Sequence, residues 1–157
     1  MSRYAQNTDV TVGRSRDEIE KTLARYGASQ FVYGWDQQQA LIGFVANDRQ
    51  IKMMLTLPDK QDRAFTQTPG GRYMREPADA LKAWEKACRQ SWRALALVVK
   101  AKLEAVESGI ATFEDEFLAY TVLPGGQTVA QLVAPHIAES YLGGSVAPFL
   151  AALGDGS

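Results

Sequence analysis

The strongest constraint on this chain is one long apolar stripe. Leu81, Trp84, Cys88, Trp92, Leu95, Val99, Leu103 and Val106 recur at spacings of 3, 4, 4, 3, 4, 4 and 3. At 100° per residue they share one side of a helix. The mean spacing lies nearer 3.6 than 3.5, which predicts a nearly straight helix lying across a sheet or other helices rather than a left-handed coiled coil. Its ends are marked as well: Pro77 suits the first helical position, with Glu76 and Asp79 near the positive end of the dipole, and Gly109 is a stop. A helix over 77–108 would be about 45 Å long. The rest of the chain has to cover its apolar side.

Upstream of it, three segments rich in aromatic and β-branched residues, Gln30 to Trp35, Gln39 to Ala46 and Arg49 to Leu57, are separated by Asp36-Gln37-Gln38 and Asn47-Asp48. These predict a three-stranded antiparallel meander. In the third segment Ile51, Met53, Leu55 and Leu57 alternate with Lys52, Met54 and Thr56, so one face is buried. Before the meander, Ser15 with Glu18 reads as a capping box opening a helix, Ile19, Leu23 and Tyr26 form its apolar face, and Gly27 ends it. Asp9 to Val12 reads as a short strand. Residues 58–76 show neither helical nor strand period and form a long loop around Pro69-Gly70-Gly71.

Downstream, Thr112 caps a short acidic turn over Phe113 to Ala119, and Tyr120 to Leu123 reads as a strand before Pro124-Gly125-Gly126. Thr128 then caps an amphipathic helix with Val129, Leu132, Val133 and Ile137 inward, bent or restarted at Pro135 and ended by Gly143-Gly144. Val146, Phe149, Leu150 and Leu153 suit a last docking helix. The expected architecture is one α+β domain over 1–157: helix plus meander (1–57), loop (58–76), long helix (77–108) and a C-terminal helical part (109–153). At 157 residues and 46% hydrophobic content, a single core is affordable.

Charge is distributed unevenly. Residues 49–102 carry twelve Lys and Arg against five Asp and Glu, whereas residues 103–157 carry no Lys or Arg and seven Asp and Glu. On the long helix Lys82, Lys86, Arg89, Arg93 and Lys100 fall within about 60° of one another beside the apolar seam. Such a ridge is either an ordinary solvated face or a phosphate-contacting one. The basic residues lie toward the N-terminal end while Glu104 and Glu107 continue the face at the C-terminal end, opposite to what the dipole favours. Arg72 and Arg75 in the loop are further phosphate candidates, with Gly70-Gly71 admitting close backbone approach, and Tyr73 and Trp35 are candidates for stacking bases. Trp35 shares a strand face with Phe31 and Tyr33, which core packing would equally explain.

Catalytic chemistry finds no support in residue type. One cysteine excludes an internal disulfide, and one histidine excludes a His/Cys metal cluster within a single chain. Cys88 belongs to the apolar seam, and His136 has no Ser, Cys or Asp partner in a motif. Glu114-Asp115-Glu116, with Glu104 or Glu107, would suit a hard cation, but consecutive acids on a helix diverge and acids in a first turn are ordinary capping. No catalytic residue, metal site or cofactor is expected. No segment has the length or apolarity of a membrane span or a signal-peptide core, so the expected location is the cytoplasm.

Two stretches carry a family resemblance. They are Ser15-Arg16-x-Glu18-Ile19-Glu20 running into Leu23-x-Arg25-Tyr26-Gly27-Ala28 and Phe31-x-Tyr33-Gly34-Trp35, and Lys82-Ala83-Trp84-Glu85 through Arg93-Ala94-Leu95-Ala96-Leu97 to Lys102-Leu103-Glu104-Ala105-Val106. Together they resemble a family of small proteins encoded by tailed phages and prophages, over most of the chain. The resemblance implies a phage origin and the cytoplasm of a bacterial host, and transfers no functional residue. It implies two settings: viral DNA metabolism, with nucleic acid as partner, or inhibition of a host defence system, with a host or phage protein as partner. A homo-oligomer using the long helix is a third expectation. The order helix, meander, helix is similar to that of double-stranded-RNA-binding domains, and a meander before a long helix is similar to single-strand annealing proteins. Against the former, the second helix is too long, the preceding loop too large, and no matching lysine motif opens the helix.

Overall fold

The computed structural model describes residues 3–144, with side chains from Val12 onward. Its elements run α1 (Arg3–Arg25), β1 (Gln30–Trp35), β2 (Gln39–Ala46), β3 (Arg49–Thr56), α2 (Arg63–Thr66), α3 (Pro77–Glu107), α4 (Phe113–Glu116), a 3-10 turn (Leu118–Tyr120) and α5 (Val129–Gly143). This is the α+β architecture expected: an N-terminal helix, a three-stranded antiparallel sheet, one long helix and short C-terminal helices.

The meander forms as its pattern dictates. Strand order is β1-β2-β3, with Trp35 opposite Ala40, Tyr33 opposite Ile42, and Ile42 opposite Met53. Asn47 and Asp48 both have positive φ (50° and 59°), the geometry of a two-residue hairpin turn whose twist suits the flanking strands. Ala40, Ile42, Phe44 and Ala46 of β2 and Ile51 and Met53 of β3 point to one face and are buried. Onto that face α1 packs Ile19 and Leu23, and α3 packs Trp92, Leu95, Ala96, Val99 and Leu103. The two helices run in the same direction: Val12 and Arg16 lie near Trp84 and Cys88, and Tyr26 Oη donates to Glu104 Oε1 at 2.8 Å.

The seam is the core of the molecule. Cys88, Trp92, Leu95, Val99 and Leu103 are buried, Leu81, Trp84 and Val106 half-buried. Phe117 is fully buried, 5.6 Å edge-on from Phe44 and 4.8 Å from Phe113, so the segment after α3 folds back onto the sheet. Gly27 (φ 93°) closes α1 with a Schellman pair, Ala28 N to Leu23 O and Gly27 N to Ala24 O.

Several expectations are corrected, and one falls outside the described residues. Asp9 to Val12 is not a strand and Ser15 does not open the helix, because α1 starts at Arg3; a strand there would need a ladder partner, whereas a helix bonds its own backbone. Residues 58–76 are not structureless: Asp62 caps α2 through Ala64 N, and Gln67 and Met74 form a bridge. Tyr120 to Leu123 makes a turn and single bridges, Thr121 to Ile51 and Val122 to Thr128, rather than a strand. The helix after Thr128 has the expected cap, completed by Gln131 into a capping box, and runs unbroken through Pro135. Of the residues expected inward, Val129 is half-buried, but Leu132, Val133 and Ile137 are exposed, as are Tyr141 and Leu142. The expected last helix around Phe149 lies outside the described residues.

Candidate functional site

The five ridge residues keep the arrangement predicted for them. Lys82, Lys86, Arg93 and Lys100 are exposed, and Arg89 is half-buried, its Nη1 3.8 Å from Glu85 Oε2 one turn away. At 3.8 Å this contact is too long for a hydrogen bond and leaves the guanidinium donors available. Lys82 to Lys100 spans about 27 Å at 1.5 Å per residue.

Among the described residues, the acidic segments after α3 leave the ridge exposed. Among the described residues their ion pair with α3 is Lys102 Nζ to Glu116 Oε1, 3.2 Å, and Lys102 lies roughly 160° round the helix from the ridge. Lys102 also approaches the Phe117 and Tyr120 rings, at 5.8 and 5.2 Å, so this cation serves packing. Glu104, at the far end of the ridge, has a structural role as acceptor from Tyr26. That hydrogen bond, then desolvation and the negative charge of Glu104, raises the pKa of Tyr26 and keeps it neutral. The α1–α3 contact therefore accounts for an acid placed against the dipole.

Sequence reasoning missed three cations on α1. Arg14, Lys21 and Arg25 are exposed and share one outward stripe at helical spacing, on a helix packed alongside α3. Glu18 lies beside this stripe.

The loop residues divide. Arg72 and Tyr73 are exposed on the turn closed by Thr68 N to Tyr73 O and Gly71 N to Thr68 O, both 2.8 Å. Gly70 and Gly71 have positive φ (90° and 72°), but the Gly71 amide is used inside the turn. Arg75, half-buried, lines a shallow dish of ≈ 290 Å³ with Arg63, Gln67 and Pro69.

Trp35 is not brought to the ridge. It stands at a cleft of ≈ 600 Å³ with Trp84 and Trp92, on the seam side of α3, roughly a quarter to a half turn from the basic residues. Arg16, Asp36, Asp59 and Lys60 complete its polar lining. These residues are too distant in sequence for spacing to reveal. Trp84 Nε1 donates to the Pro58 carbonyl at 2.7 Å, and Lys60 Nζ lies 4.4 Å from the Trp84 ring centroid, which fixes the start of the 58–76 segment against α3.

Other candidate chemistry is structural here. Burial pushes the Cys88 thiol up to about 11, the reverse of activation. His136 is exposed on α5, its carbonyl accepting from Ser140 Oγ. Thr112 Oγ1 accepts from Asp115 N, and Glu116 pairs with Lys102, so the acidic run caps α4 and anchors it. Among the described residues no three His, Cys, Asp or Glu side chains gather as a metal site, and no helix is long and apolar enough to cross a membrane. Comparison with known proteins found no match to a family model, a curated protein or a solved structure.

Proposed function

We propose that this protein is a phage or prophage accessory protein that binds nucleic acid without catalysis, holding the phosphate backbone on the exposed face of α3. The observation that carries the reading is the open ridge: four exposed cations and Arg89 on one rigid helix, with Glu116 of the acidic segment paired instead to Lys102 on another side of α3. Rigid, spaced Lys and Arg gain from counterion release and from charge-assisted hydrogen bonds at no cost in backbone ordering. Arg14, Lys21 and Arg25 add three exposed cations on α1, the helix packed alongside α3. Arg72 and Arg75 lie just before α3, where a strand following the ridge would continue, with Tyr73 exposed for base stacking.

The test is fluorescence anisotropy with labelled single- and double-stranded oligonucleotides at low salt. Binding that weakens steeply toward moderate salt is expected; no binding to either at low salt refutes the proposal.

A specific feature favours a second reading, a protein-interaction module such as an inhibitor of a host defence enzyme or a self-associating protein. It is α5, whose Leu132, Ile137, Tyr141 and Leu142 all stand exposed. Pull-down from host lysate after nuclease treatment separates the readings, since only a protein partner survives it.

A further inference from the structure

We propose that the tryptophan-lined cleft between α1, the β1–β2 turn and α3 is a second binding site, built for a planar heteroaromatic anion of nucleotide size. All three tryptophans of the chain line it, with Val12, Leu57 and Cys88 as the remaining apolar wall. Its ≈ 600 Å³ falls within the roughly 300–1,000 Å³ typical of small-ligand sites. Trp35 is 66% exposed at its mouth, although its position in β1 places it on the inward face of the sheet. A large indole left open there, in the cleft that Trp84 and Trp92 also line, offers a ring a stacking surface.

The polar groups select the ligand. The guanidinium carbon of Arg16 lies 4.2 Å from the Tyr33 ring centroid, and its Nε is buried with no hydrogen-bond acceptor. The Nε itself is closed off, so an acceptor in the cleft would meet the terminal amino groups of Arg16, and an anion suits a guanidinium best. The two carboxylates do not fill that role. Asp36 Oδ1 accepts from Gln38 N and Gln39 N at 2.7 and 2.8 Å, and Asp59 Oδ1 accepts from Gln61 N at 2.9 Å. The remaining oxygen of each is suited to an exocyclic amine. A ring between indoles, amines toward carboxylates and an anionic group at Arg16 together describe a nucleotide, either free or at the end of a strand. The site is separate from the ridge and does not rest on it.

The tryptophans make occupancy directly observable. Intrinsic fluorescence is titrated with adenosine, guanosine and cytidine 5′-monophosphates, with the matching nucleosides, and with inorganic phosphate. Saturable quenching by at least one monophosphate is expected, weakened about tenfold or more for its nucleoside, with none from phosphate alone. Arg16→Met, which keeps the apolar stem over Tyr33, should lower monophosphate affinity about tenfold with an unchanged circular dichroism spectrum. Replacing Lys82, Lys86 and Arg93 by Gln should leave the quenching intact, so failure of this site and of the ridge are told apart. A 5′-phosphorylated dinucleotide binding as tightly as the monophosphate identifies a strand end, and weaker binding a free nucleotide. No saturable quenching up to about 10 mM, or equal affinity for nucleoside and monophosphate, or an Arg16→Met variant that binds as the parent does, overturns the proposal.

Discussion

Neutralising the ridge should change how binding depends on salt, by an amount that follows from its geometry. Lys82, Lys86, Arg89, Arg93 and Lys100 lie within a quarter turn of one another, so up to five phosphates are within reach. Five contacts give a slope of log K against log salt of about −4.5 on duplex and about −3.5 on single strands. Between 50 and 200 mM salt that is a loss of roughly one hundred- to five hundredfold. The triple variant Lys82→Gln, Lys86→Gln, Arg93→Gln leaves about two contacts, a duplex slope near −1.8, and a loss of only about twelvefold over the same range. Stability should be nearly unchanged, because the three side chains are exposed and make no ion pair among the described residues. Anisotropy titrations at four or five salt concentrations measure both slopes, and thermal melts verify the fold. A variant with normal melting and an unchanged slope would refute the argument, since the counterions would then be released elsewhere.

Further outcomes follow from the core and from titration. Phe117→Ala removes a fully buried ring from its contacts with Phe44 and Phe113, and should cost about 3–5 kcal/mol, a melting-temperature fall on the order of 10 °C for a chain of this size. Ile137→Ser and Leu142→Ser on α5 should shift it little, within about 0.5 kcal/mol each, because neither side chain is buried. Cys88 should resist iodoacetamide at pH 8: with its pKa at about 11, only about 0.1% is thiolate, and urea unfolding should restore ordinary reactivity. Since the folded pKa is the higher one, the thiol's contribution to stability is full below the ordinary cysteine value and is lost as pH rises toward 11. Denaturation midpoints at pH 8 and pH 10.5 measure that loss against a Cys88→Ala control.

Where periodicity is long or its partners adjacent, sequence and structure agree. The seam from Leu81 to Val106 repeats over seven turns, and the three strands are joined by turns of a few residues, so neighbours along the chain become neighbours in space. The ridge was legible for the same reason, because one helix alone sets its angles. Agreement fails where a distant partner decides. The pattern on α5 specifies which residues are available for burial but not what lies opposite, and among the described residues nothing buries Leu132, Val133, Ile137, Tyr141 or Leu142. The acid at position 104 looked misplaced until Tyr26, seventy-eight residues earlier, supplied its donor. The cleft assembles Arg16, Trp35, Lys60 and Trp84 from four elements, and no spacing rule joins them.

The central claim is that nucleic acid lies along the exposed face of α3, and backbone amide chemical-shift mapping tests it at residue level. Adding a short oligonucleotide at low salt to ¹⁵N-labelled protein should shift the amides of Lys82, Lys86, Arg89, Arg93 and Lys100 together, with Arg14, Lys21 and Arg25 of α1 beside them. Shifts confined to α5, or none at all, would contradict it.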